Sequence, residues 1–133
     1  MRIMLDTNVL ISVVIFNSKL LKDMLIEICD KHSLVLSSYV IDELGEVVNK
    51  KFPTKRPAID KFLYKLPYEL VYTPNTILEE MNIEIRDKKD IPVIYSAIIS
   101  DVDILITGDK DFKDLDIEKP EILTPSEYME KYN

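Results

Sequence analysis

The sequence begins with a short apolar run that ends on a carboxylate. Ile3, Met4 and Leu5 are followed at once by Asp6, and a helical pattern of apolar residues is predicted soon after it, over residues 9–16. Such a run is typical of a strand that is buried on both faces of a parallel sheet. Because ligands bind beyond the carboxyl ends of the strands in open α/β sheets, Asp6 is predicted to lie in that crevice. The alternative is that Asp6 or Asn8 only caps the helix that follows.

The same arrangement occurs again near the end of the chain. A second apolar run leads through Thr107 and Gly108 to Asp109. Short apolar runs alternate with helical patterns along the whole sequence, which predicts an α/β protein. We expect a three-layer α/β/α sandwich with a central, mainly parallel five-stranded sheet. Its strands are predicted at residues 3–5, 33–36, 70–72, 104–106 and 121–123.

The composition limits both the organisation and the function of the chain. With 133 residues and no internal repeat or linker, residues 1–133 are expected to form one domain. We expect no signal peptide at the amino terminus, and no apolar run is long enough to cross a bilayer. Together with the single cysteine, this predicts a cytoplasmic protein without a membrane segment. Two glycines are too few for a dinucleotide fingerprint or a P-loop, which excludes nucleotide binding by a glycine-rich loop.

Charge is distributed unevenly along the chain. The net charge of −7 argues against a protein that coats nucleic acid by bulk electrostatics. Residues 50–65, however, contain six basic residues and one acid, a local charge of +5. This segment is predicted to contact a phosphate backbone through Lys50, Lys51, Lys55 and Arg56. The alternative is an ordinary solvated helix face.

Two further acids stand near the beginnings of predicted helices. Glu43 borders the apolar face of the helix after the second strand, and Asp90 precedes a helix with Pro92 in its first turn. Two carboxylates about 4 Å apart repel by about 4 kcal/mol at an effective dielectric near 20. If both acids open on the same sheet edge as Asp6 and Asp109, a divalent cation with oxygen ligands is needed there. Mg²⁺ and Mn²⁺ fit best, since one histidine and one cysteine argue against zinc.

Four short motifs contain these acids. Together they resemble the motifs of the PIN-domain ribonucleases, in particular the compact prokaryotic members that are toxins of toxin–antitoxin pairs. The resemblance covers nearly the whole chain, and its first and fourth motifs are the most specific. The motifs are Asp6-Thr7-Asn8-Val9-Leu10, Glu43-Leu44, Asp90 with Ala97, and Thr107-Gly108-Asp109-Lys110-Asp111-Phe112.

The resemblance implies a metal-dependent endoribonuclease that hydrolyses RNA phosphodiester bonds. It implies an RNA substrate, a cognate antitoxin protein as a partner, and a homodimer. Asp87 lies one helical turn before Asp90 and is a rival ligand. By this resemblance Asp6, Glu43, Asp90 and Asp109 are the catalytic residues and bind one or two Mg²⁺ or Mn²⁺ ions. Asn8 and Thr107 would orient these carboxylates, and Asp111 would be a further acid beside them.

Two other functions are compatible with a fold of this class. A PIN-like chain can be a non-catalytic binding or scaffold module, which Mn²⁺ binding by EDTA-stripped protein would argue against. A phosphotransfer enzyme of the haloacid-dehalogenase type needs a second aspartate where this chain has Asn8. A receiver domain needs an aspartate after its third strand, where Thr73 and Pro74 stand here. Phosphotransfer is therefore the weakest of the three hypotheses.

Overall fold

The structure, a computed structural model, describes residues 1–74, 90–112 and 115–132. These ranges contain one five-stranded sheet in the order β3-β2-β1-β4-β5, and every neighbouring pair is parallel. The predicted parallel α/β sheet is therefore confirmed. The strands are β1 (Arg2–Leu5), β2 (Ser33–Ser37), β3 (Tyr68–Val71), β4 (Ile104–Ile106) and β5 (Glu121–Leu123).

Helices connect the strands. Because βαβ crossovers are right-handed, the connections from β1 to β3 carry their helices on one face of the sheet. The strand order then reverses, so the connection from β3 to β4 carries its helix on the opposite face. In the described ranges the helices are α1 (Thr7–Val14), α2 (Lys19–Lys31), α3 (Ser38–Lys51), α4 (Arg56–Lys65), α5 (Ile91–Ile99) and α6 (Pro125–Tyr132).

Polar side chains fix where several helices begin. The Ser18 and Ser37 hydroxyls accept hydrogen bonds from backbone N–H groups in the first turns of α2 and α3. Thr124 and Glu127 form a reciprocal capping box at the start of α6. Helix α1 begins at Thr7, two residues earlier than the apolar pattern indicates, because its cap is the preceding residue, Asp6.

The core lies on both faces of the central strands. In β1 and β4, Ile3, Met4, Leu5 and residues 104–106 are at most 1% exposed. Full burial of one such side chain contributes about 1.5–3 kcal/mol to the stability of the fold, so burial strongly stabilises these two strands. The edge strand β3 leaves Leu70 39% exposed and begins two residues before the predicted run. Its half-exposed pattern explains why the sequence predicts its bounds less well than those of β4 and β5.

The strand order reverses between β1 and β4. These two strands pair in register, with Leu5 opposite Ile106. Asp6 and Thr107 therefore leave the sheet side by side at its carboxyl edge. This is the topological switch point, where open α/β sheets have their binding crevice.

Within the part of the chain that the structure describes, no helix has the length and apolar character needed to cross a membrane.

Candidate active site

Asp6 occupies the switch point and is only 4% exposed. Its Oδ1 accepts a 2.7 Å hydrogen bond from the backbone N–H of Thr7, and its Oδ2 accepts a 2.7 Å bond from the hydroxyl of Thr107. Asp6 therefore caps α1 and also stands at the carboxyl edge of the sheet, where the crevice is expected. Each oxygen is held by a group from a different element, which fixes the orientation of the carboxylate.

The surroundings of Asp6 disfavour its charge. Burial raises the pKa of the Asp6 carboxyl above its usual value, and the carboxylates of Glu43 and Asp109 act in the same direction. The hydrogen bonds from Thr107 and Thr7 oppose this rise in pKa. A cation bound beside a buried carboxylate with two acidic neighbours would offset the repulsion between the negative charges.

Thr7 connects Asp6 to the second acid. Its hydroxyl donates a 2.5 Å hydrogen bond to Oε1 of Glu43, which lies in the second turn of α3. Thr7 itself is 2% exposed. The first sequence motif contains Thr7, but sequence reasoning assigns it no role. The sequence feature that could have indicated its role is a hydroxyl residue directly after Asp6, the acid that follows β1.

The loop after β4 arranges two more acids. The Thr107 hydroxyl accepts a 3.0 Å bond from the N–H of Asp109, and Asp109 Oδ1 accepts a 2.9 Å bond from the N–H of Asp111. These are successive local side-chain-to-backbone turns, which Thr and Asp residues commonly form. The spacing of residues 107, 109 and 111 therefore presents both carboxylates to the same crevice.

Asp90 joins these two acids from a distant part of the chain. Asp90, Asp109 and Asp111 each offer one carboxylate oxygen, and the three oxygens lie within 4.8 Å of one another. Asp90 stands at the cap position of α5, as predicted, but its side chain makes no capping hydrogen bond. Asp111, which the family resemblance implies as a further acid beside the four ligands, lies within this three-acid cluster. Three carboxylate oxygens at this separation form a donor set suited to Mg²⁺ or Mn²⁺.

Tyr39 is a neighbour of the acids that sequence reasoning missed. It lies one helical turn before Glu43 in α3. Burial raises the pKa of the Tyr39 hydroxyl, and the carboxylates of Glu43, Asp90, Glu46 and Asp6 raise it further. The Tyr39 hydroxyl is therefore within electrostatic range of acids that follow β1, lie in α3 and cap α5. The i, i+4 spacing to Glu43 is the only signal for it in the sequence.

The remaining predicted site residues are Asn8, the lysines of the basic segment and Asp87. The Asn8 side chain is exposed and, among the described residues, donates no hydrogen bond to a carboxylate. Lys50, Lys51 and Lys55 are exposed at the end of α3 and just beyond it. Asp87 lies outside the described residues.

Arg56 differs from the three lysines of the basic segment. Its Nε donates a 3.0 Å hydrogen bond to Asp60, and its Nη1 donates a 3.4 Å bond to Asn49. The guanidinium group also lies against Gly45, where a Cβ atom would be 3.0 Å from Nη1. Arg56 therefore joins α4 to α3, and its donors are directed at protein groups.

Comparisons with known proteins agree with this architecture. Residues 2–111 match a family model described as PIN domain. No curated protein matches the chain. Among solved structures, the crystal structure of VapBC2 from Rickettsia felis, bound to a DNA fragment from their promoter, contains a chain that matches with a TM-score of 0.72. The two sequences are 24% identical over 92% of this chain and 97% of that one. The chain thus belongs to the PIN domain family, whose members are typically nucleases.

Proposed function

We propose that the protein is an Mg²⁺- or Mn²⁺-dependent endoribonuclease and the toxin of a toxin–antitoxin pair, with residues 1–133 acting as one domain. One observation carries this proposal. Acids from separate parts of the chain meet at the switch point, where Asp90, Asp109 and Asp111 approach within 4.8 Å beside the buried Asp6. Membership of the PIN domain family supports a nuclease rather than another use of such a cluster.

The metal would be held by Asp6, Glu43, Asp90 and Asp109, with Asp111 as a fifth acid. A divalent ion at such a site lowers the pKa of bound water and neutralises the charge that develops on a phosphodiester. The chain supplies the rigid frame. Thr107 and Thr7 hold both oxygens of Asp6, and the Thr7 hydroxyl holds Glu43, so these carboxylates do not have to be reordered when substrate binds.

Cleavage and metal binding should be measured on the same preparations. The wild type, Asp6→Asn and Asp109→Asn are incubated with single-stranded RNA and with DNA of the same sequence, in Mn²⁺ and in EDTA, and Mn²⁺ affinity is measured by calorimetry. Asp30→Asn, an exposed acid on α2, is the matched control. We expect RNA cleavage in Mn²⁺ by the wild type and the control only.

Each other outcome of that experiment would contradict a stated part of the proposal. Preferential cleavage of DNA would refute the RNA substrate. Mn²⁺ binding without cleavage of either polymer would refute the nuclease activity, and the absence of both binding and cleavage would indicate a non-catalytic binding module. Equal cleavage by the wild type and Asp6→Asn would identify the activity as a contaminant.

We assign RNA binding to Lys50, Lys51 and Lys55, with Arg56 a weaker contributor because of its contacts with Asp60 and Asn49. Lys50 lies seven residues after Glu43 in α3, which is about 10 Å along the helix axis at about 1.5 Å per residue. A strand that enters the acidic site can therefore pass along this helix. The exposed lysines would offset the repulsion between RNA and an otherwise acidic molecule.

Charge reversal tests this surface. In an Asp6→Asn background, which prevents cleavage, Lys50, Lys51 and Lys55 are changed to Glu. The matched control changes Lys19, Lys22 and Lys31 on α2 to Glu, which alters the net charge equally. We expect only the first set to weaken RNA binding, with the salt slope reduced by about 0.7 for each phosphate that the protein no longer neutralises. Equal effects of both sets would show that only net charge matters.

One solved structure that the chain resembles is VapBC2 bound to DNA, and by that likeness we propose an antitoxin-type protein partner. We also propose a homodimer, as the family resemblance implies. Light scattering of the purified chain measures its mass against the 15.5 kDa of one copy. We expect twice that mass at micromolar concentration, and a single-copy mass would refute the dimer. Co-expression with the product of a small adjacent reading frame tests the antitoxin, which should co-purify and suppress cleavage.

A further inference from the structure

A row of hydrogen bonds joins the first turn of α3 to the first turn of α5. The N–H of Tyr39 donates to Oγ1 of Thr73 at 3.3 Å, and Thr73 Oγ1 lies 2.8 Å from Oγ of Ser96. The Ser96 hydroxyl lies 2.7 Å from the carbonyl oxygen of Pro92 and donates to it. Thr73 follows the end of β3, and its own N–H donates to the Ser38 hydroxyl at 2.9 Å. Three elements therefore meet in one polar row.

The number of protons on the hydroxyl groups fixes which group donates in each hydrogen bond of this row. A hydroxyl has one proton, and that of Ser96 is directed at the Pro92 carbonyl. Thr73 must therefore donate to Ser96, and its oxygen accepts from the Tyr39 N–H. The order is Tyr39 N–H, Thr73 hydroxyl, Ser96 hydroxyl and Pro92 carbonyl. Each hydroxyl in the row donates one bond and accepts one, and Ser96 is 1% exposed.

Both ends of the row lie next to proposed metal ligands. Tyr39 precedes Glu43 by one turn of α3, and Pro92 follows Asp90 by two residues. The carboxylates of Glu43 and Asp90 both raise the pKa of the Tyr39 hydroxyl, which agrees with this placement. The row is thus a polar connection between α3, which carries Glu43, and α5, whose cap position is Asp90.

Stability alone does not require this row. Replacing both partners of a buried hydrogen bond by apolar groups of the same shape is often nearly neutral for stability, whereas a directed, fully satisfied network fixes one relative position of the elements it joins. An apolar contact is less directional and would fix the position of α5 relative to α3 less closely. A metal site needs its carboxylates within a few tenths of an ångström of their places.

We propose that Thr73 and Ser96 are positioning residues that set Asp90 relative to Glu43 and thereby determine the affinity of the site for a divalent cation. This inference rests on the proposed metal-dependent function. It concerns residues that touch neither metal nor substrate and act only through the helices they join.

Four variants test the inference by Mn²⁺ calorimetry and urea unfolding on the same samples. Thr73→Val removes the central hydroxyl at constant shape, Thr73→Ser keeps it, and Ser96→Ala removes the next hydroxyl. We expect Thr73→Val to weaken Mn²⁺ binding about tenfold, at the low end of the range for residues that orient ligands, and Thr73→Ser to bind like the wild type. The double variant Thr73→Val/Ser96→Ala should bind no more weakly than Thr73→Val alone, because the row acts as one unit.

The outcomes separate this inference from the function on which it rests. If the wild type binds no Mn²⁺, the proposed function fails and the inference fails with it. If the wild type binds and Thr73→Val binds equally well while its free energy of unfolding falls, the row only stabilises packing and the positioning role is refuted. Additive losses in the double variant would also refute it. Should Thr73→Val not fold, Ser96→Ala against the wild type gives the same decision.

Discussion

The hydroxyl of Thr107 donates a 2.7 Å hydrogen bond to Oδ2 of Asp6, although the two residues are 101 positions apart in the sequence. The same oxygen of Thr107 accepts the N–H of Asp109 at 3.0 Å. Thr107 is completely buried. One threonine therefore fixes the acid at the end of β1 and the acid after β4 relative to each other, and this pair forms the centre of the candidate site.

Thr107→Val should damage both the fold and the site. It removes a hydrogen bond to a buried carboxylate, and such bonds to charged groups contribute about 1.5–3 kcal/mol, so we expect a loss of about 2 kcal/mol in the free energy of unfolding. Mn²⁺ affinity should fall by about 10–100-fold. Thr107→Ser keeps the hydroxyl and is the control. Urea unfolding and calorimetry measure the two effects, and an unchanged Mn²⁺ affinity would remove Thr107 from the site.

Asp109→Asn should be more stable than the wild type in EDTA and less stable in Mn²⁺. Without metal the substitution relieves repulsion from Asp90 and Asp111, and asparagine can still accept the N–H of Asp111. Because the cluster is partly exposed and screened, we expect a gain of up to about 1 kcal/mol. Mn²⁺ at about 100 times its dissociation constant should stabilise the wild type by about 2.7 kcal/mol and the variant much less.

Thermal melts of Asp109→Asn and the wild type in EDTA and in Mn²⁺ test this predicted change in relative stability. The order of the two melting temperatures should invert when Mn²⁺ replaces EDTA. A residue that only caps a local turn would instead cost about 1 kcal/mol in both buffers. Parallel shifts without inversion would therefore contradict a shared metal site.

Asp111→Asn should weaken Mn²⁺ binding more than Asn8→Ala does. Asp111 contributes an oxygen to the three-acid cluster, whereas the Asn8 side chain is exposed. We expect a loss of at least about tenfold for Asp111→Asn, since it removes a charge at the site itself. Calorimetric titration of both variants in parallel measures the difference. A larger loss for Asn8→Ala would return to Asn8 the orienting role that its motif implies.

Asp103→Asn should lower stability at neutral pH but not in acid. The N–H of Arg2 donates a 2.7 Å hydrogen bond to Asp103 Oδ2, and this bond, with the nearby Lys119 ammonium group, lowers the pKa of the carboxyl below its ordinary value of 3.8. A lowered pKa in the folded state means that the carboxylate stabilises the fold above the unfolded-state pKa. That contribution is lost as the pH falls through the folded-state pKa.

The side chain of Asp103 is 38% exposed, so the difference between the wild type and Asp103→Asn should stay below about 1 kcal/mol. Urea unfolding at several pH values between 7 and 3 measures it. The two stability curves should converge toward the acid end. Curves that stay parallel throughout this range would show that the charge of Asp103 does not stabilise the junction between β1 and β4.

The strands β4 and β5 have the bounds that the sequence predicts. For β4 the reason is that a short apolar run that is buried on both faces carries a strong signal. The edge strand β3 is predicted less well, since Glu69 and Leu70 are exposed and interrupt the apolar run. The apolar pattern places the start of α1 too late because Asp6, rather than a residue after it, caps the helix. In these cases the burial of the strand, or the position of the helix cap, decides whether the apolar pattern predicts the bounds of the element.

The sequence by itself determined the alternation of strands and helices and the presence of an acid beyond the ends of β1 and β4. These features are local, since each depends on a run of neighbouring residues and the side chain that ends it. Only the tertiary structure decided that the Thr7 hydroxyl donates to Glu43 and that Asp111 lies beside Asp90 and Asp109. It also decided that the Arg56 guanidinium group donates to side chains of the same chain. Such contacts join residues from different elements, and their partners follow from strand order and helix packing, which no spacing along the chain encodes.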